Sequence, residues 1–154
     1  MFNIPSWSLT KQAYHYHDAK SPRLLITVGD SWTWGDSLGA TKVRLGHDDA
    51  LYRLAHIYGA IMQRELKCNW ANIALPGISN SLMLDWLQSF LPNRPSAKHV
   101  DCIITLTESG RHEELRLIES NWLTQQYALT QILAQTYKRI ENLKIIHPGV
   151  NFIV

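Results

Sequence analysis

Cysteine is scarce in this sequence: two in 154 residues, Cys68 and Cys102. They stand in neither a Cys-x-x-Cys nor a metal-knuckle spacing, which argues against a disulfide framework or a zinc module. Two buried free thiols, as in a reducing compartment, are the expectation. No apolar run approaches the roughly 18 residues of a membrane span. The start, Met1-Phe2-Asn3-Ile4-Pro5, has no basic segment ahead of an apolar stretch, so no secretory signal is visible and a cytoplasmic location is expected. Charge of one sign is lacking as well. Fifteen Lys and Arg against 13 Asp and Glu leave +2, too balanced for nucleic acid or an anionic membrane as the main partner. Eight glycines and six prolines are too few for collagenous or low-complexity structure. Charged residues reach only 18%, yet 45% hydrophobic residues exclude general disorder.

What is present suits one domain with its own core. A chain of this length buries roughly 68–70% of the surface its unfolded form exposes. Residues 1–22, with Pro5 and Pro22, read as an N-terminal arm or a short edge element, and residues 23–154 as one α/β domain. Leu24 to Val28 is a short apolar run closed by Gly29, the pattern of a buried strand. Residues 29–47 are expected to be mostly loop. Asp48 or Asp49 would cap a helix to about Leu66, its face carried by Leu51, Leu54, Ala55, Tyr58, Ile61 and Met62. Trp70 to Ala74 reads as a strand, and Ser79 or Asn80 as the cap of a helix through Phe90 that Pro92 and Pro95 stop. Val100 to Leu106 is a third strand, Leu117 to Glu141 a long helix, and Leu143 to Ile146 a fourth strand. Continuous apolar strands alternating with helices predict a three-layer α/β/α fold with a mostly parallel, flavodoxin-like doubly wound sheet.

In such a sheet ligands bind beyond the carboxyl ends of the strands. The residues to read are therefore those after each strand. They are Gly29-Asp30-Ser31-Trp32-Thr33-Trp34-Gly35, then Pro76-Gly77-Ile78-Ser79-Asn80, then Thr107-Glu108-Ser109-Gly110-Arg111, and His147-Pro148-Gly149. Ser31 directly follows the first strand, where a serine is exposed beside free backbone N–H groups that stabilise an oxyanion; capping a turn is its plain structural use. Trp32 and Trp34 are expected on one wall of an extended loop, facing a sugar or acyl group or packing the loop on the sheet. His15-Tyr16-His17-Asp18 has a metal-like composition without a third ligand in register, so no metal or cofactor is expected. Gly77-Ile78-Ser79-Asn80-Ser81 lacks the second glycine of a nucleophile elbow, and no phosphate loop occurs.

The stretch Val28 to Gly35 resembles the first block of the GDSL, or SGNH, hydrolase superfamily, and Asn72 to Asn80 resembles its second. The resemblance implies an ester hydrolase: an esterase, a lipase-like enzyme or a carbohydrate O-deacetylase. Ser31 would be the nucleophile, and the Ser31 and Gly77 N–H groups would hold the oxyanion. The family's third block, Gly-x-Asn-Asp, is here Thr107-Glu108-Ser109-Gly110, which puts Ser109 at the position of the oxyanion asparagine. Arg111 would add positive charge, or pair with Glu108 or Glu114 on the surface. The family's C-terminal Asp-x-x-His does not occur. A serine without a base is a poor nucleophile. The expectation is thus a C-terminally incomplete hydrolase domain, to which the apolar end Phe152-Ile153-Val154 also points, its base either a histidine outside these 154 residues or His147, which follows the expected fourth strand and whose plain use is that of a loop residue. The other reading is a catalytically degenerate binding or phage-type accessory protein on the same fold. The expected partner in either case is a small ester or an acylated glycan.

Overall fold

A computed structural model describes residues 21–35, 52, 56–107 and 122–154, with the backbone alone at 14–16 and without the side chains at 122, 123 and 125. Among the described residues one sheet of five strands organises the fold. β1 (Tyr14–Tyr16) runs antiparallel to β3 (Asn69–Asn72) at one edge. β3, β2 (Arg23–Val28), β4 (His99–Ile104) and β5 (Val150–Ile153) follow in that order, all parallel. Counting only the parallel strands in chain order, the sequence across the sheet is 2-1-3-4. The chain therefore steps from β2 to one side, then reverses across it to reach β4.

Right-handed crossovers turn this reversal into two layers of helix. Leu25 and Trp70 face one side, in a cluster with Ile57, Ala60 and Cys68 from the β2–β3 crossover. That crossover carries helix α2 (Tyr58–Leu66). Leu24, Ile26 and Val28 face the other side, against Met83, Leu84, Leu87 and Phe90 of helix α3 (Asn80–Phe90) and Ile140 and Leu143 of helix α4 (Trp122–Ile146). The sheet is thus covered on both faces, as β2, buried at every position from Leu24 to Val28, requires. The short helix α1 (Ser31–Trp34) follows β2 at once.

Four expectations change. The run Leu143 to Ile146 is the last turn of α4, and the final strand is Val150–Ile153. Ile132, Thr136, Ile140 and Leu143 are buried at three- and four-residue spacing, so the helical stripe absorbs Leu143 and leaves Ile145 75% exposed. An apolar run of four residues carries no period of its own. Residues 31–34, expected as loop, are helical because Asp30 caps them. The helix expected from Asp48 or Asp49 to Leu66 is broken at Ile57, whose ψ of 145° is extended; its proposed caps lie outside the described residues. Its buried face is Gly59, Ala60 and Gln63, while Ile61 points out.

The α2 face is small for a reason. A Cβ on Gly59 would stand 2.8 Å from Trp70 Nε1, and that indole is 1% exposed and held by donation to Thr27 Oγ1 at 3.0 Å. The ring has nowhere to go. Ala is favoured over Gly in an exposed helix by about 1 kcal/mol, but overpacking costs about 1–3 kcal/mol. Gly59→Ala is therefore expected to lower the urea midpoint; an unchanged or higher midpoint would refute the close approach.

Candidate active site

The loops beyond the carboxyl ends of β2, β3 and β4 are drawn together by backbone first. Thr105 N donates to Val28 O at 2.8 Å, Ile73 N to Thr27 O at 2.9 Å and Leu75 N to Gly29 O at 3.1 Å. β2 is thereby clamped to both neighbours just where the strand order reverses, the place where doubly wound sheets bind ligands. Gly29 permits the next turn: a Cβ there would lie 2.1 Å from Thr33 Oγ1. The chain can then fold α1 straight back onto the strand end.

Asp30 holds that turn. Its Oδ1 accepts from Trp32 N at 3.0 Å, the N-cap bond of α1. Its Oδ2 accepts from the Thr107 hydroxyl at 2.8 Å, which reaches over from the β4 loop. The carboxylate is 4% exposed. Thr107 is in turn gripped by Asn80 at the start of α3. Asn80 Oδ1 accepts from Thr107 N at 2.8 Å, and Asn80 Nδ2 donates to Thr107 O at 3.0 Å. Ser79 supplies the α3 cap, its Oγ accepting from Leu82 N, so Asn80 is released for this second task. From the third side, Asn72 Nδ2 donates to Thr33 O at 3.1 Å, and Tyr58 Oη lies 3.3 Å from Thr33 Oγ1 and 3.2 Å from Thr105 Oγ1. Buried polar groups at strand ends are satisfied by one another, which fixes α1 against three strands.

Ser31 is the first residue of α1, half-buried, and among the described residues no hydrogen bond engages its hydroxyl. Gly77 stands beyond the adjacent strand, exposed, at φ +76° with open space around its Cα. The glycine serves the left-handed backbone there, since only glycine adopts it without strain. Trp32 and Trp34 do not share a wall. In a helical turn alternate residues point apart, so Trp32 is 83% exposed beside Ser31 while Trp34 is 8% exposed in the α2 cluster. Ser109 and Arg111 lie outside the described residues. His147 is misplaced by the shifted strand. It follows α4 and precedes β5, at the amino edge of the sheet, opposite Ser31. Desolvation and nearby Arg94 hold its pKa below the usual imidazole range.

Both thiols are out of reach as nucleophiles. Burial pushes Cys68 and Cys102 up from the ordinary thiol range. Among the described residues no three of His, Cys, Asp or Glu gather to hold a metal ion, and no helix is long and apolar enough to cross a membrane. No protein-family model, no curated protein and no solved structure matches this chain.

Sequence reasoning placed Thr33 and Asn80 at this edge without the bonds they make, and missed Tyr58 and Thr105 as parts of it. The signal was available: polar residues directly behind apolar strands are buried there and must find partners. Asn80→Ala would leave the Thr107 N–H and C=O buried without these bonds. A loss of about 2 kcal/mol or more in a urea melt is expected, and an unchanged midpoint would show that the clamp contributes nothing.

Proposed function

We propose that this protein is a serine ester hydrolase resembling the SGNH superfamily, acting on a small ester or an acylated glycan. One observation carries the reading: a serine hydroxyl that no described residue engages follows Gly29-Asp30 at the carboxyl end of the first parallel strand, where the strand order reverses. Asp30 does not face the substrate in this scheme. It orients α1, and with it the Ser31 hydroxyl and N–H.

Ser31 Oγ attacks the ester carbonyl carbon. The carbonyl oxygen takes on negative charge, and the Ser31 and Gly77 N–H groups receive it, with Ser109 as a third donor. Preorganised donors of this kind contribute about 10²–10³ in rate each. The exposed Trp32 indole beside the nucleophile offers an apolar face to the acyl or sugar portion. Departure of the alcohol leaves an acyl-serine, which water hydrolyses.

Hydrolysis of p-nitrophenyl acetate tests the assignment. The intact protein should turn the ester over, and Ser31→Ala should reduce kcat/KM to the rate without protein while leaving the circular dichroism spectrum unchanged. A Ser31→Ala variant as fast as the parent would overturn the reading. Absence of turnover by the folded parent would favour a binding protein on the same scaffold.

A further inference from the structure

Attack by Ser31 requires a group to take its proton, and the sheet sorts by edge the three histidines whose side chains are described, His56, His99 and His147. His99 opens β4 opposite Arg23, and His147 precedes β5, both at the amino edge. His56 is on the other side. α2 ends at Leu66, and β3 begins at Asn69 opposite Leu24, the amino half of β2. The C-terminus of α2 therefore lies at the amino edge. Its N-terminus, with His56 just ahead of it, lies at the carboxyl edge. Two neighbours pin that end to α1: Tyr58 Oη stands 3.3 Å from Thr33 Oγ1, and Ile57 is buried in the same cluster as Trp34.

The His56 ring is exposed, yet it is held. Its Nδ1 is 2.7 Å from Tyr52 O, and the ring stacks on Tyr52 with centroids 4.0 Å apart at 22°. A carbonyl oxygen only accepts, so Nδ1 carries the hydrogen and the neutral ring presents a bare lone pair at Nε2. No described residue engages Nε2. An imidazole fixed at one nitrogen by an acceptor and open at the other is prepared to act as a base.

Resting on the ester-hydrolase reading, we infer that His56 is the general base for Ser31. Nε2 takes the Ser31 hydroxyl proton as the Oγ–C bond forms. When the tetrahedral adduct collapses, the C–O bond to the alcohol breaks and Nε2–H protonates the departing oxygen. A water molecule then attacks the acyl-serine, giving its proton to Nε2. The second collapse breaks the Oγ–C bond, returns that proton to Ser31 and releases the carboxylic acid.

The test compares the 154-residue parent, Ser31→Ala, His56→Ala and His56→Asn on p-nitrophenyl acetate. The Asn amide keeps a donor for Tyr52 O but has no base, so it separates chemistry from folding. Both His56 variants should lose about 10²–10⁴ in kcat/KM, and added imidazole should restore part of the rate of His56→Ala through the exposed site. His56→Asn within about a factor of three of the parent, with Ser31→Ala inactive, would overturn the base and leave the nucleophile standing. Ser31→Ala at the parent's rate, or no turnover by the parent, would overturn both.

Discussion

The Asp30 carboxylate serves two elements at once. One oxygen caps α1, and the other receives the Thr107 hydroxyl from beyond β4. Neither bond is unusual alone. Shared by one buried carboxylate, they lock a four-residue helix, too short to be stable by itself, against the strand that follows across the sheet. Asn80 extends the lock to α3 by gripping both backbone polar groups of Thr107. The position of Ser31 is thus a consequence of hydrogen bonds made by its neighbours and by the α1 backbone, not by its own side chain.

That arrangement depends on topology. Because the chain leaves β2 for β3 and then crosses back to β4, the described residues that directly follow β2 and β4 lie side by side. Crossovers on opposite faces follow from the same reversal, as the two apolar clusters on either side of β2 record. The amino edge has a different character. There Arg23 pairs with Asp101 at 3.2 Å and Asn151 donates to Asp101 at 3.0 Å, an ionic trim at the far end of the strands from Ser31. His147, near that trim, is a residue of the wrong edge for acyl chemistry with Ser31.

Much of the fold was legible because β2 carries an apolar run and helix α3 has both a clear cap and a clear stop. Leu24 to Val28, the Ser79 cap and Phe90 with Pro92 behind it left little choice. Leu143 to Ile146 misled because four apolar residues fit a strand and a helix end equally, and only the buried stripe back to Ile132 decides between them. One such slip moved His147 across the molecule. The pairing of Trp32 with Trp34 failed for a related reason: an N-cap by Asp30 converts an expected extended loop, with period two, into a helical turn. At the site, Ser31 and Gly77 were legible as residues at strand ends. The Asn80 clamp and the orientation of His56 were not, since both rest on contacts between segments distant in the chain or on ring geometry that no local pattern encodes.

A Ser31 hydroxyl presented as a nucleophile by a rigid edge is open to an active-site reagent. Treatment of the folded protein with a fluorophosphonate, followed by peptide mapping by mass spectrometry, examines this without any assumption about substrate. One phosphonyl adduct is expected, on Ser31, and it should disappear when the protein is first unfolded in urea. No adduct on the folded protein, or an adduct on another residue with Ser31 untouched, would contradict it.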